Sequence, residues 1–67
     1  MSNRAGVVGL GKLGLCLAAV LADSGYDVRG VDVDQAKIEA VNRAECPIVE
    51  PGLPELIKRS HAKLRAS

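Results

Sequence analysis

The six residues Gly9-Leu10-Gly11-Lys12-Leu13-Gly14 fit a G-x-G-x-x-G pattern. Glycine at these positions suits a loop that wraps a phosphate. The first glycine permits a tight turn out of a strand. The second lets a pyrophosphate approach the backbone, and the third lets the following helix pack close. A helix starting there offers unpaired N–H groups and the positive end of its dipole to an anion. The pattern gains meaning from its surroundings: a strand before it, a helix after it and an acid at the end of the next strand. Asp32 supplies that acid, close to the expected spacing of about 20 residues. Its carboxylate can accept hydrogen bonds from ribose hydroxyls. It would repel a 2′-phosphate, so the residues favour NAD over NADP. Arg29 and Lys37 are basic groups that could hold a phosphate, and they keep NADP as the lesser option.

The other reactive side chains promise less. Lys12 stands inside the loop, but backbone N–H groups do the phosphate work, so it is expected to be a solvated side chain. Cys16 belongs to the apolar pattern of the first helix. Cys46 lies beside Pro47 with no basic or histidine partner to activate it. Both are expected to be free thiols. His61 is the only histidine, so a metal site has too few ligands. No residue of the chain is assigned a catalytic role.

Positioning these groups requires a strand, a helix and a second strand. Arg4 to Val8 is expected to form the first strand. From about Lys12 to Ser24 the apolar spacing becomes helical, with Leu13, Cys16, Leu17, Val20 and Leu21 on one expected buried face. Gly25 follows, where a helix commonly needs a residue with positive φ. Asp27 to Val33 reads as the second strand, in which Gly30 suggests close packing against a neighbour. Asp34 is a good N-cap for a helix over about Gln35 to Arg43, with Ile38, Ala40 and Val41 inward. A loop containing Pro47 follows. Pro51-Gly52-Leu53-Pro54 opens a third helix whose expected stripe is Leu53, Leu56, Ile57 and Leu64. The expected fold class is α/β, an incomplete Rossmann fold in β-α-β-α-α order. Two parallel strands and no third leave exposed edges and apolar faces, so residues 1–67 are expected to be part of one larger domain.

Composition agrees with a parallel α/β interior. Apolar residues make up 48% of the 67, with no Trp, no Phe and one Tyr. A chain of this length buries only about 60% of the surface it exposes when unfolded. The formal net charge is +1 with no basic block, which argues against nucleic acid and anionic membrane surfaces as partners. Arg4 and the apolar run from Leu13 to Ala22 give a secretory-signal pattern, with Val20-Leu21-Ala22 as a cleavage-like site. Lys12 ahead of the run, the spaced glycines and the βα pattern after it oppose that assignment. A cytoplasmic location is expected. The run is also shorter than the roughly 20 apolar residues a bilayer requires.

Several segments together resemble the N-terminus of the UDP-glucose/GDP-mannose dehydrogenase family. They are Gly-Leu-Gly-Lys-Leu-Gly-Leu, Ala-x-x-Leu-Ala-x-x-Gly, Val-Asp-Val-Asp and, most specifically, Cys46-Pro47-Ile48-Val49-Glu50-Pro51-Gly52-Leu53. The resemblance runs from about Ala5 to Ile57. It implies oxidation of C6 of a nucleotide-linked sugar from alcohol to carboxylate, with two NAD molecules per turnover and a catalytic cysteine that forms a thioester. It carries cofactor contacts to Gly9, Leu10, Gly11, Lys12, Leu13, Gly14, Asp32 and Lys37. Lys12 is a departure, since many members have an aromatic residue there. The family's catalytic cysteine, lysine and acid–base residues lie downstream of Ser67, and neither Cys16 nor Cys46 takes the nucleophile's place. The expected partners are a nucleotide sugar and, in a full-length enzyme, further copies of the same chain.

Two alternatives remain open. One is an NAD-dependent dehydrogenase of another substrate, of the hydroxyacid or acyl-CoA type. The other is a catalytically inactive short nucleotide-binding fragment. On either count the 67 residues alone are expected to be inactive.

Overall fold

Alternating exposure along the strands fixes which face of the sheet is covered. A computed structural model describes residues 3–67. In β1 (Arg4–Val8), Val7 is buried while Arg4, Gly6 and Val8 are exposed. In β2 (Asp27–Val31), Val28 and Gly30 are buried and Arg29 and Val31 exposed. β3 (Leu64–Ala66) buries Leu64 and Ala66 around an exposed Arg65. The three strands are parallel in the order β1-β2-β3. Parallel neighbours need a crossover, and α1 (Lys12–Asp23) provides it between β1 and β2. The helix packs on the covered face, α3 (Leu53–Ser60) packs against it, and α2 (Gln35–Asn42) lies against β3. Among the described residues, no helix covers the other sheet face, called the bare face below. Among the described residues, no helix is long and apolar enough to cross a membrane.

Fully buried Leu10, Leu15, Val41, Ile57 and Leu64 form the centre of the core. Burying each contributes about 2 kcal/mol of transfer free energy. Glycine makes room for one of them. A Cβ on Gly30 would meet Leu10 Cδ2 at 2.6 Å, so the close neighbour expected for Gly30 is the leucine of the glycine loop.

Local signals set most boundaries. Gly25, with φ 105°, ends α1: its N–H donates to Ala22 O and that of Tyr26 to Leu21 O, both at 3.1 Å. Asp34 caps α2 by accepting from the N–H groups of Ala36 at 3.0 Å and Lys37 at 3.4 Å. Pro54 sits in the first turn of α3, where its missing N–H costs nothing.

Three expectations are corrected. A third strand exists, and Leu64, expected in the stripe of the last helix, lies in it. A 3-10 turn, His61–Lys63, separates α3 from β3. β3 is short, but its outer edge is paired by a side chain. Asn42 Nδ2 donates to Ala66 O, and Ala66 N donates to Asn42 Oδ1, both at 2.9 Å. One amide thus replaces a neighbouring strand.

Secondly, the expected inner face of α1 is largely its outer side. Leu13, Leu17 and Val20 are 85%, 53% and 51% exposed, and Cys16 and Leu21 are half-buried. The buried residues are Leu15, Ala18, Ala19 and Ala22. Alanines let the helix axis approach the sheet, so small residues rather than large ones mark the packed side. Thirdly, β2 stops at Val31, and Val33 is fully exposed. Its ladder ends where Gly9 N donates to Val31 O at 2.7 Å and the chain turns at Asp32.

Candidate functional site

β1 delivers the chain into the loop at Gly9, whose φ of 92° only glycine adopts without strain. Gly14 is required for a different reason. A Cβ there would overlap the Gly9 carbonyl oxygen, with Val7 Cγ1 also within contact. Gly14 therefore lets the first turn of α1 close over the loop. Gly11 is different again: a Cβ on it would meet nothing within 4 Å. Its missing side chain leaves open space at the helix start and satisfies no packing demand.

That helix start has no internal partner. Gly11 is the N-cap of α1, no side chain caps it, and the first turn holds no acid. α2, by contrast, is capped by Asp34. The leading N–H groups of a helix have no intrahelical acceptor, and they attract an anion. Open space at Gly11 and uncapped donors together fit a phosphate.

Asp32 lies at the base of the loop. Its Oδ2 accepts from Leu10 N at 2.7 Å and its Oδ1 from Asp34 N at 2.8 Å. The bond from Leu10, then that from Asp34, hold the Asp32 carboxyl below the usual carboxylate range. The charge of Lys37 adds to the effect, and partial desolvation opposes it. A carboxylate has about four acceptor positions. The bonds from Leu10 and Asp34 leave acceptor capacity on the carboxylate that hydroxyl donors such as those of a ribose can use.

The remaining expected contacts divide. Leu10 offers its backbone N–H to Asp32, while its side chain is core. Leu13 is exposed beside the loop. Lys37 is half-buried on the first turn of α2, near Asp32. Lys12 is exposed, as expected, and its Nζ lies 3.2 Å from Glu50 Oε2. Residues 12 and 50 are far apart in the chain, so no local pattern signals the pair. Arg29 is not gathered with Asp32. It lies on the bare sheet face, in register with Arg65. A groove of about 500 Å³ there, lined by Arg4, Asp27, Arg29, Lys63 and Arg65 among others, is separate from the glycine loop.

Cys16 is half-buried in α1, and the Cys46 thiol donates to Ile48 O at 3.0 Å. Both are free. His61 begins the 3-10 turn after α3, and its Nε2 is 3.0 Å from Asn42 O in an exposed contact with the end of α2. Among the described residues, no group of three His, Cys, Asp or Glu is gathered to hold a metal ion.

Residues 3–67 match the UDP-glucose/GDP-mannose dehydrogenase family, NAD binding domain. GDP-mannose 6-dehydrogenase of Pseudomonas savastanoi pv. phaseolicola is 44% identical over 66 residues, covering 96% of this chain and 15% of that protein. UDP-N-acetyl-D-mannosamine dehydrogenase of Methanococcus maripaludis is 48% identical over 52 residues, covering 78% of this chain and 12% of that protein. The structure of a UDP-glucose dehydrogenase from the archaeon Pyrobaculum islandicum superposes with a TM-score of 0.92 at 30% identity. It covers 100% of this chain, which spans 16% of that one. The chain therefore spans only a small part of the length of the proteins it is similar to.

Proposed function

Since the chain belongs to the UDP-glucose/GDP-mannose dehydrogenase family, with residues 3–67 matching within its NAD binding domain, we propose that Gly9–Gly14 and Asp32 hold the pyrophosphate and adenosine ribose of NAD for oxidation of a nucleotide sugar. The observation that carries this is the Asp32 carboxylate, held at the base of the loop by the Leu10 N–H at 2.7 Å. A loop with open space at Gly11 and an acid fixed beside it suits a diphosphate joined to an unphosphorylated ribose.

The residues divide the work. The uncapped N–H groups at the start of α1 face the pyrophosphate. Asp32 accepts from the ribose hydroxyls and disfavours a 2′-phosphate. Leu13 and Lys37 border the same site, Leu13 at the loop and Lys37 beside Asp32. NAD, when bound, supplies the hydride acceptor for alcohol oxidation.

In this reading residues 1–67 are the first part of one Rossmann domain, and the groups that act on C6 of the sugar lie elsewhere in a longer, cytoplasmic, oligomeric enzyme. The relatives named above differ in their sugar, so the substrate proposed is the class of nucleotide sugars rather than UDP-glucose alone.

Calorimetric titration of the chain with NAD and with NADP tests the cofactor assignment. NAD is expected to bind more tightly, and a preference for NADP would overturn the role given to Asp32. An assay of UDP-glucose oxidation with NAD tests the division of labour. Residues 1–67 are expected to show no turnover, and measurable turnover would contradict it.

A further inference from the structure

Lys12 is the first residue of α1, and Glu50 comes from the loop between α2 and α3. Their ion pair, at 3.2 Å, bridges that loop to the glycine loop. The partners are unequally held: the Glu50 side chain is 28% exposed and that of Lys12 is 70% exposed. The carboxylate is thus the anchored member and the ammonium the tethered one. A pyrophosphate at the uncapped donors of α1 would compete with that carboxylate for Lys12, the only side-chain ammonium in the glycine loop.

We propose that Glu50 is a positioning residue for Lys12. It holds the ammonium away from the phosphate subsite and so sets how tightly the loop takes a dinucleotide. This rests on the dinucleotide reading above. The affinity of the loop then depends on a residue of the Cys46–Leu53 segment. Glu50→Gln releases Lys12 toward the pyrophosphate. Glu50→Asp keeps the charge but draws it back from Lys12, and it acts in the same direction to a smaller extent.

The test is a double-mutant cycle read as Kd for NAD, with adenosine as the ligand that lacks a pyrophosphate. At low salt, E50Q is expected to tighten NAD about threefold. The gain is expected to vanish near about 0.5 M salt, where exposed charges are screened. In a Lys12→Met background the same substitution is expected to change Kd by less than about twofold, because Glu50 acts through Lys12. Adenosine affinity is expected to stay unchanged throughout. Equal tightening with Met at position 12, equal tightening for adenosine, or no tightening in either E50Q or E50D would overturn the proposal. If the wild-type chain fails to bind NAD, the dinucleotide reading falls and this inference with it. If NAD binds but the cycle shows no coupling, only this inference falls.

Discussion

The Asp32 carboxylate accepts from the Leu10 N–H at 2.7 Å, which ties the end of β2 to the turn that leaves β1. One acid therefore both shapes the glycine loop and flanks the site proposed for the ribose. Replacing Asp32 with Asn leaves one acceptor oxygen to serve Leu10 and Asp34, and it turns an N–H group toward a donor. NAD affinity is expected to fall about tenfold or more, with loss of the preference over NADP. Calorimetric Kd values for both dinucleotides check this. An unchanged ratio of the two would separate Asp32 from ribose recognition.

Gly11 and Gly14 should respond to alanine in opposite ways. At Gly14 the new methyl overlaps the Gly9 carbonyl, so the fold must give way, at a cost of about 3 kcal/mol. At Gly11 the methyl meets no protein atom, and φ of −70° suits alanine. Gly11→Ala is expected to leave the denaturation midpoint nearly unchanged while weakening NAD, because the methyl enters the space assigned to the pyrophosphate. Denaturant unfolding beside NAD titration separates the two effects.

Acid should destabilise the fold through two carboxylates. The hydrogen bond from Arg59 holds Asp23 below its ordinary value of 3.8, helped by the charge of Arg59 and opposed by slight desolvation. Asp32 is lowered by the backbone bonds from Leu10 and Asp34. A lowered folded-state pKa gives stability that is fully present above the unfolded value. That stability is lost as pH falls through the folded one. Urea midpoints should therefore be insensitive to these groups near neutrality and decline below about pH 4. Asp23→Asn is expected to flatten part of that decline; an unaltered profile would show that the Arg59 pair contributes nothing.

Ala44 sits at φ 60°, just past the C-cap of α2. It occupies the position Gly25 holds after α1, and the hydrogen bonds repeat: Ala44 N donates to Val41 O at 3.0 Å and Glu45 N to Ala40 O at 2.8 Å. Alanine pays a steric cost in this conformation that glycine avoids. Ala44→Gly is expected to stabilise the fold by about 1 kcal/mol, seen as a higher thermal midpoint. A lower midpoint would mean that chain entropy outweighs the relief of strain.

The parts legible in the sequence are those governed by nearest neighbours. Gly25 ends α1, Asp34 starts α2 and Pro54 marks the first turn of α3, because each acts through atoms a few residues away. The glycine loop and Asp32 are legible from their spacing together with the strands and helix expected around them. What escaped depends on groups distant in the chain. β3 carries three residues, one of them Arg65, and is completed by Asn42 from another element. The packed side of α1 is marked by Ala18, Ala19 and Ala22, whereas hydrophobic size pointed to Leu13, Leu17 and Val20. The Lys12–Glu50 pair, too, exists only once the loops are folded together.

The most direct test of the central claim is an amide-resolved NMR titration of the chain with NAD. Shifts are expected to concentrate in the backbone N–H groups of Gly9 to Gly14 and of Asp32 to Asp34, with smaller changes in the same groups on adding NADP. Shifts confined to the bare sheet face around Arg29 and Arg65, or equal responses to the two dinucleotides, would contradict it.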